Sequence, residues 1–381
     1  MIELTPSEDQ LAIRDMAADF AAKELAPHAV EWDETKHFPI DVLEQAGALG
    51  FGAIYTREDV GGTGLGRVDS ALIFEALATG CPTIAAYVSI HNMCCWMIDR
   101  FGSEAQRAQW CPRLASMETL ASYCLTEPGA GSDAAALATR AARDGDDYIL
   151  TGQKQFISGA GTSEVYLVMA RTGEAGPGGI SAFLVEKDMP GLSFGANEHK
   201  MGWNAQPTRS VALDKVRVPA ANMLGAEGRG FKIALSGLNG GRVNIAACSL
   251  GGAQAATDAA LTYLRDRMAF GKPLIEQPTL QLRLAEMATR LEVSRTMLWR
   301  AAASLDAGAI EATTLCAMAK QFVTDACFDV ANDALQLHGG YGYLTEYGIE
   351  KTVRDLRVHQ ILEGTNEVMR LIVSRSVIAQ G

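Results

Sequence analysis

The stretch HQILEGTNEVMR, residues 359–370, sets Glu363 behind an apolar pair, Ile361-Leu362, and before Gly364, where the backbone can turn sharply. A surface glutamate needs no such setting. A general base does, because partial desolvation raises a carboxyl's pKa and makes it a stronger proton acceptor. Five other stretches carry residue types suited to holding a ligand. In YCLTEPGAGSD (123–133), Gly129 and Gly131 let the backbone come close to a ligand and Ser132 adds a hydroxyl; successive N–H groups in such a turn form an anion nest. GQKQFISG (152–159) alternates as a strand does, so Phe156 and Ser158 share a face, and an aromatic beside a hydroxyl suits a flat heteroaromatic ring. Asn239-Gly240-Gly241-Arg242 places two glycines inside a predicted long helix, at a cost of about 1 kcal/mol each relative to alanine. Such glycines leave room beside the backbone, and Arg242 suits an anionic group. RMAFGK (267–272) and QLHGGYG (336–342) both read as helix ends. Taken singly, the stretches have plain structural readings: a tight turn for GAGSD, core packing for Phe156, a helix stop for HGG and a structural hydrogen bond for His338.

These residues need scaffolds, and the chain offers three textures in series. Residues 1–120 are rich in Ala, Leu and Met at helical spacing. Thr5-Pro6-Ser7-Glu8 reads as a capping box that opens the first helix, with Thr5 at the cap, and Asp69 as the N-cap of a later one. GGTGLG (61–66) is a turn: it is not G-x-G-x-x-G, and no βαβ unit surrounds it. Residues 121–225 carry short β-favouring runs, DYIL, VYLVMA, ISAFLVE and SVALDKVRV, punctuated by Gly, Pro and Asp. Without interleaved helices they predict an antiparallel barrel-like or sandwich domain. Residues 226–381 return to helix in four long segments, 229–268, 278–307, 310–337 and 348–378, with short breakers, which predicts a bundle.

Composition narrows the function classes. A net charge of −12 with no basic stripe argues against phosphate-backbone binding to nucleic acid. The eight cysteines form no C-x-x-C pair and lie in apolar runs, as buried free thiols would. The six histidines show no metal-ligand spacing, so no metal site is expected. No apolar run reaches ~18 residues, so no membrane span is expected.

Read together and in order, YCLTEPGAGSD, GQKQFISG, the R-x-x-F-G of 267–271, QLHGGYGY and LEGTNEVMR resemble the acyl-CoA dehydrogenase family over essentially the whole chain. The resemblance implies an α-helical N-terminal domain, a central antiparallel β-domain and a C-terminal four-helix bundle, assembled as a homotetramer with FAD. It implies that Tyr123, Leu125, Thr126, Gly131 and Ser132 line the flavin, with Phe156, Ile157 and Ser158 beside its ring system. Arg267, Phe270, Gln336, Leu337, His338, Gly339 and Gly340 would bind the FAD of a neighbouring subunit. Thr365, Asn366 and Glu367 would contact its adenine-diphosphate end. Family members often carry Gln where this chain has Pro278, and Gln277 would replace it. On the substrate side the resemblance implies Ser132, Asn239, Gly240, Gly241, Arg242 and Arg375, with Arg242 holding CoA.

Glu363 would be the base that removes the α-proton of an acyl-CoA thioester while the flavin takes a hydride from the β-carbon. Electrons would then pass to an electron-transfer flavoprotein. Some members carry the base near residue 241, where this chain has glycine. SIHNMCCWMID (89–99), IFEALATGCP (73–82), GWNAQPTR (202–209) and LNGGRVNIAACSLG (238–251) resemble the branch that handles short α-branched acyl groups. The expected reaction is therefore isobutyryl-CoA to methacrylyl-CoA, a step of valine breakdown, with Gly240 and Gly241 giving width for the α-methyl. The alternatives are 2-methylbutyryl-CoA or a short straight-chain acyl-CoA. A DNA-associated flavoprotein of the same fold would need a basic surface, and an acyl-CoA oxidase an extra C-terminal domain. The chain runs from Met1 directly into its first capped helix, which fits a bacterial cytoplasmic enzyme or the mature form of a mitochondrial-matrix one.

Overall fold

The computed structural model describes residues 5–380. The first third is helical: α1 (Glu8–Phe20), α2 (Ala29–Thr35), α3 (Ile40–Ala48), α4 (Arg67–Gly80), α5 (Pro82–Phe101) and α6 (Glu104–Ala115). The capping box of α1 lies two residues later than its sequence suggests. Extended Ser7 is the cap, and it exchanges bonds with Gln10: Gln10 N–H donates to Ser7 Oγ (3.2 Å) and Ser7 N–H to Gln10 Oε1 (3.0 Å). Asp69 likewise lies inside the first turn of α4, where its carboxylate reaches back to the Gly66 N–H (2.8 Å).

The middle of the chain forms one eight-stranded sheet from β1 (Ala121–Cys124), β2 (Arg140–Asp144), β3 (Asp147–Ser158), β4 (Val165–Arg171), β5 (Ile180–Glu186), β6 (Leu192–Phe194), β7 (Thr208–Pro219) and β8 (Met223–Leu224). Its order is β6-β7-β3-β2-β4-β5-β8, with β1 on β4. The expectation of an antiparallel domain needs one correction. Most pairs are antiparallel, but β1 runs parallel to β4 along its length and β2 meets β4 in a single parallel bridge. Parallel neighbours need a crossover, and the β2–β3 hairpin lies in the connection from β1 to β4. VYLVMAR and ISAFLVE are buried at six of seven positions each, as strands covered on both faces must be.

Beyond the sheet come α7 (Gly230–Asp266), the small hairpin β9 (Met268–Ala269) and β10 (Lys272–Pro273), α8 (Pro278–Asp306), α9 (Ala312–Leu337), α10 (Ile349–Arg357) and α11 (Asn366–Gln380). The segment expected to be one helix over 348–378 is two. It breaks because Glu363 (φ 58°) and Gly364 (φ 87°) both take left-handed backbone, which an α-helix cannot contain. One apolar cluster joins α1–α5 to the carboxy-terminal helices, so α7 packs against both groups. Val243, Ile245 and Leu250 of α7 are fully buried in it, each worth roughly 1.5–3 kcal/mol. That packing holds α7 rigidly beside the break at Glu363.

Candidate active site

A non-glycine residue with left-handed backbone costs of order 1–3 kcal/mol and persists only where its surroundings impose it. At Glu363 they do. Arg242 Nε donates to the Glu363 carbonyl (3.3 Å), and Lys320 Nζ donates to the Gly364 carbonyl and to Asn366 Oδ1 (2.8 Å each). Thr365 caps α11, its Oγ1 accepting the Val368 N–H (3.3 Å). Four residues before Glu363, His359 is buried; it accepts from Trp203 Nε1 (3.2 Å) and pairs with Ser249 Oγ (2.7 Å). Burial pushes the His359 pKa down to about 3, so it bridges the middle of the chain to α7 as a neutral ring.

The carboxyl held in this way is short of partners. Glu363 Oε2 is sealed from water and has no hydrogen-bond partner among the described residues. Burial pushes its pKa up to about 7, against the lowering pull of Arg242 and then Lys320. The Glu363 N–H also donates to nothing among the described residues. A desolvated carboxylate of near-neutral pKa beside a free N–H can take a proton from carbon while the N–H steadies charge on an adjacent oxygen.

Gly241 explains how the carboxyl fits. A Cβ there would lie 2.5 Å from Glu363 Oε2 and 2.8 Å from Cδ, and a Cβ on Gly240 would overlap the Arg67 guanidinium. The expectation that these glycines give width for a substrate methyl is therefore corrected: a neighbouring side chain occupies each space. Arg242 is 5% exposed, with Nε donating to the Glu363 carbonyl and Nη1 to Asn239 Oδ1 (2.9 Å), contacts that brace the base. Asn239 Nδ2 in turn donates to Thr313 Oγ1 (3.0 Å).

The two middle-domain motifs come together through a pair that sequence reading missed. Buried Lys154 and Glu127 form an ion pair (2.7 Å), and Lys154 Nζ also donates to the Leu125 carbonyl (3.1 Å). Glu127 accepts the backbone N–H groups of Ala138 (2.6 Å) and Thr139 (3.0 Å), and the Gln155 N–H donates to the Thr126 carbonyl (2.9 Å). The available signal was parity: Lys154 sits on the same face of β3 as buried Tyr148 and Leu150. The core reading of Phe156 fails. The residue lies at a bulge between Lys154 and Ile157 with φ 59° and is 63% exposed. Ser158 shares its outer face, half-buried. Leu125 and Ile157 instead point into apolar cores, so only their backbone is free for a ligand. Gly131 and Ser132 are exposed, and a Cβ on Gly129 or Gly131 would meet nothing within 4 Å. The Tyr123 hydroxyl is sealed and without a partner among the described residues. Burial raises its pKa, and the Glu363 charge adds to that.

A separate cavity of about 900 Å³ joins the other two predicted stretches, lined by Tyr263, Arg267, Arg283, Gln336, Leu337, His338, Gly339, Gly340 and Tyr341 among others. His338 lines the cavity with Nδ1 paired to the Ala334 carbonyl (2.8 Å) and its ring stacked on Tyr263. Phe270, 91% exposed, projects from the β9–β10 turn. Gln277 caps α8 and is not part of the cavity lining, which on that helix is Thr279, Leu280 and Arg283. The Asn366 side chain is consumed by Lys320, Thr324 and Asp325, which removes it as a ligand contact. Glu367 is exposed in the first turn of α11. Arg375 is exposed and makes no hydrogen bond or ion pair among the described residues. Lys320 was missed, although a lone lysine in the apolar run ATTLCAMAKQFV was a signal. All eight cysteines are buried and free. No group of metal-ligating side chains exists among the described residues, and no described helix is long and apolar enough to cross a membrane.

A helical–sheet–helical chain with a desolvated carboxyl, an exposed aromatic on the sheet and an arginine-lined cavity suits a cofactor-dependent oxidoreductase. Residues 7–118, 122–216 and 228–378 match the N-terminal, middle and C-terminal domain models of acyl-CoA dehydrogenase. The chain is 56% identical to the mitochondrial isobutyryl-CoA dehydrogenase of Bos taurus, over 98% of this chain and 90% of that protein. The butyryl-CoA dehydrogenase structure of Megasphaera elsdenii superposes with a TM-score of 0.95 at 36% identity, over 98% of this chain and 99% of that one. The prolyl acyl carrier protein oxidase AnaB superposes at 0.94 and 27% identity, over 98% of this chain and 100% of that one. The chain therefore belongs to the acyl-CoA dehydrogenase family, whose members are FAD-dependent oxidoreductases. Chain length does not separate a dehydrogenase from an oxidase, since AnaB spans the same length.

Proposed function

We propose that the protein dehydrogenates isobutyryl-CoA to methacrylyl-CoA, with Glu363 as the base. The observation that carries the reading is the Glu363 carboxyl: desolvated, raised to about 7, seated on Gly241 and without a partner for Oε2. Likeness to the bovine isobutyryl-CoA dehydrogenase supports the acyl group.

The residues present fit FAD. Exposed Phe156 and half-buried Ser158, the orphaned Tyr123 hydroxyl, the open Gly129–Ser132 turn and Thr126 suit its ring end. Arg267, Gln336, Gly339 and Gly340 would hold a dinucleotide shared with a second copy in a homotetramer, and the N–H groups of the α11 N-terminus with Thr365 suit its phosphates. When bound, FAD supplies the acceptor for the two electrons and the hydrogen that leave the β-carbon. Glu363 Oε2 takes the α-proton as the Cα–H bond breaks, and the pair left behind becomes the new C=C bond. The Glu363 N–H would steady the thioester oxygen while its carbonyl, tied to Arg242, keeps the carboxyl aimed. Electrons would go on to an electron-transfer flavoprotein, in the mitochondrial matrix or a bacterial cytoplasm.

The test is anaerobic mixing of the holoenzyme with isobutyryl-, 2-methylbutyryl- and n-butyryl-CoA, watching the flavin's visible absorption. Fastest bleaching by isobutyryl-CoA supports the reading. A much faster rate with either competitor moves the substrate to that acyl group. Oxygen consumption during turnover would identify an oxidase.

A further inference from the structure

The first turn of α4 carries a buried cation that the reaction does not use. Arg67 is 7% exposed, with its guanidinium carbon 3.5 Å above the Tyr55 ring centroid and 5.0 Å from that of Trp96. The guanidinium forms no ion pair among the described residues, and Tyr55 is its polar neighbour. Its nearest carboxylates are taken by backbone and by α1: Asp306 accepts the amides of Arg67 and Val68, and Asp69 accepts Gly66 N–H and Gln10 Nε2. Two aromatic faces offset part of the cost of this buried charge.

The place of this cation matters because of what it touches. The guanidinium occupies the space beside Gly240, the residue before the Gly241 on which Glu363 rests. One turn earlier the space beside Gly237 is taken by Met97 Sδ (2.7 Å from a Cβ there) and Met93. The glycine face of α7 is therefore closed by four side chains: Glu363, Arg67, Met97 and Met93. One turn further along α7, Asn244 Nδ2 donates to the Tyr55 hydroxyl (3.0 Å), which fixes the ring beneath Arg67. On the glycine face of α7 this charged side chain therefore sits one residue along the helix from the seat of Glu363.

We propose that Arg67, stacked on Tyr55 and Trp96 and seated over Gly240, is the floor of the acyl pocket and restricts the enzyme to short acyl groups. This rests on the reading of Glu363 as the base for an acyl-CoA. A tail that extends past the floor would have to displace the guanidinium from the Tyr55 and Trp96 rings, whereas isobutyryl adds only three carbons beyond its carbonyl. Specificity would be set by α4, an element outside the motifs that carry the chemistry.

The experiment compares wild type with Arg67→Met, which keeps an unbranched stem over the two rings, Arg67→Ala, and Arg67→Lys as the conservative variant. Two quantities are read on holoenzyme: kcat/KM for isobutyryl- and n-hexanoyl-CoA, and Kd for the unreactive isobutyl and n-hexyl thioethers of CoA. The floor predicts that the hexanoyl-to-isobutyryl ratio rises at least tenfold in Arg67→Met and Arg67→Ala, in both kcat/KM and Kd, and returns toward wild type in Arg67→Lys. Equal losses on both chain lengths, with ratios unchanged, would mean a purely structural arginine and overturn the proposal. So would a carboxylate-ended acyl-CoA, such as glutaryl-CoA, that outperforms isobutyryl-CoA in wild type and loses that advantage in Arg67→Met. A wild type that no acyl-CoA reduces refutes the underlying assignment and the floor with it; unchanged ratios in a wild type that is reduced refute the floor alone.

Discussion

Gly241→Ala adds one carbon where the structure has the carboxyl of Glu363. The new Cβ would stand 2.5 Å from Oε2, 2.8 Å from Cδ and 2.9 Å from Oε1. To reach ordinary van der Waals contact the carboxyl must retreat by about 1 Å, since carbon–carbon and carbon–oxygen contacts settle near 3.5 Å. A misplacement of about 1 Å at a reacting group costs on the order of 10²-fold in rate, or about 2.7 kcal/mol of barrier. Folding stability should not follow. The displaced atoms are the free end of a side chain, and alanine for glycine inside a helix gains up to about 1 kcal/mol. The expected outcome is therefore a fall of about 100-fold in the rate constant for flavin reduction, with Tm unchanged or higher. The loss should be similar for isobutyryl- and n-butyryl-CoA, because both need the same proton acceptor. Stopped-flow reduction with each substrate, beside a thermal melt, decides it. Rates within threefold of wild type would refute the packing of Glu363 on Gly241. A loss confined to isobutyryl-CoA would restore these glycines as the site of the substrate methyl.

Glu363→Gln should abolish flavin reduction by any acyl-CoA while FAD stays bound, and spectra before and after gel filtration check both. The same variant tests the buried charge. The folded pKa of about 7 lies above the ordinary 4.5, so the protonated form favours folding below pH 4.5 and that advantage is lost as pH rises to 7. Urea unfolding should show Glu363→Gln more stable than wild type by roughly 1–3 kcal/mol at pH 8 and level with it at pH 4; equal stability at both would contradict the desolvation. Lys320→Met removes a cation that lowers the Glu363 pKa and frees the Gly364 carbonyl. The acid limb of the kcat/KM profile should move to higher pH, and an unmoved limb would show that Lys320 does not act on the base. Lys154→Met strands Glu127 as a buried unpaired charge, which costs roughly 3–5 kcal/mol. Its Tm should fall and FAD should be released more readily than from Glu363→Gln; full retention of both would separate the pair from the flavin site.

Much of this molecule is legible in the one-dimensional chain because the signals are local. Helical periodicity found α7, α8 and α9 to within a few residues, and apolar runs found β4 and β5. Gly364 after an apolar run signalled a sharp turn beside the base, but helical periodicity ran 348–378 together, and only the left-handed backbone of Glu363 and Gly364 divides it into two helices. The cap of α1 lies two residues later than expected, at Ser7, and that of α4 three residues earlier, at Gly66, because a carboxylate or hydroxyl near a helix start can serve as cap or as the N3 partner and geometry alone chooses.

Tertiary structure decided what each unusual residue is for. Two glycines in a helix announce that room is needed, but not for whom; only packing α4 and the 358–365 break against α7 shows that Arg67 and Glu363 take it. Arg242 reads as an anion binder, and only the fold shows it buried against the base's own carbonyl. Lys154, Glu127 and Lys320 reveal their roles only through partners 27, 27 and 44 residues away. Burial, and with it the rise of the Glu363 pKa, belongs to no residue. It arises when helices from both ends of the chain close around one carboxyl and exclude the water that would have held its charge.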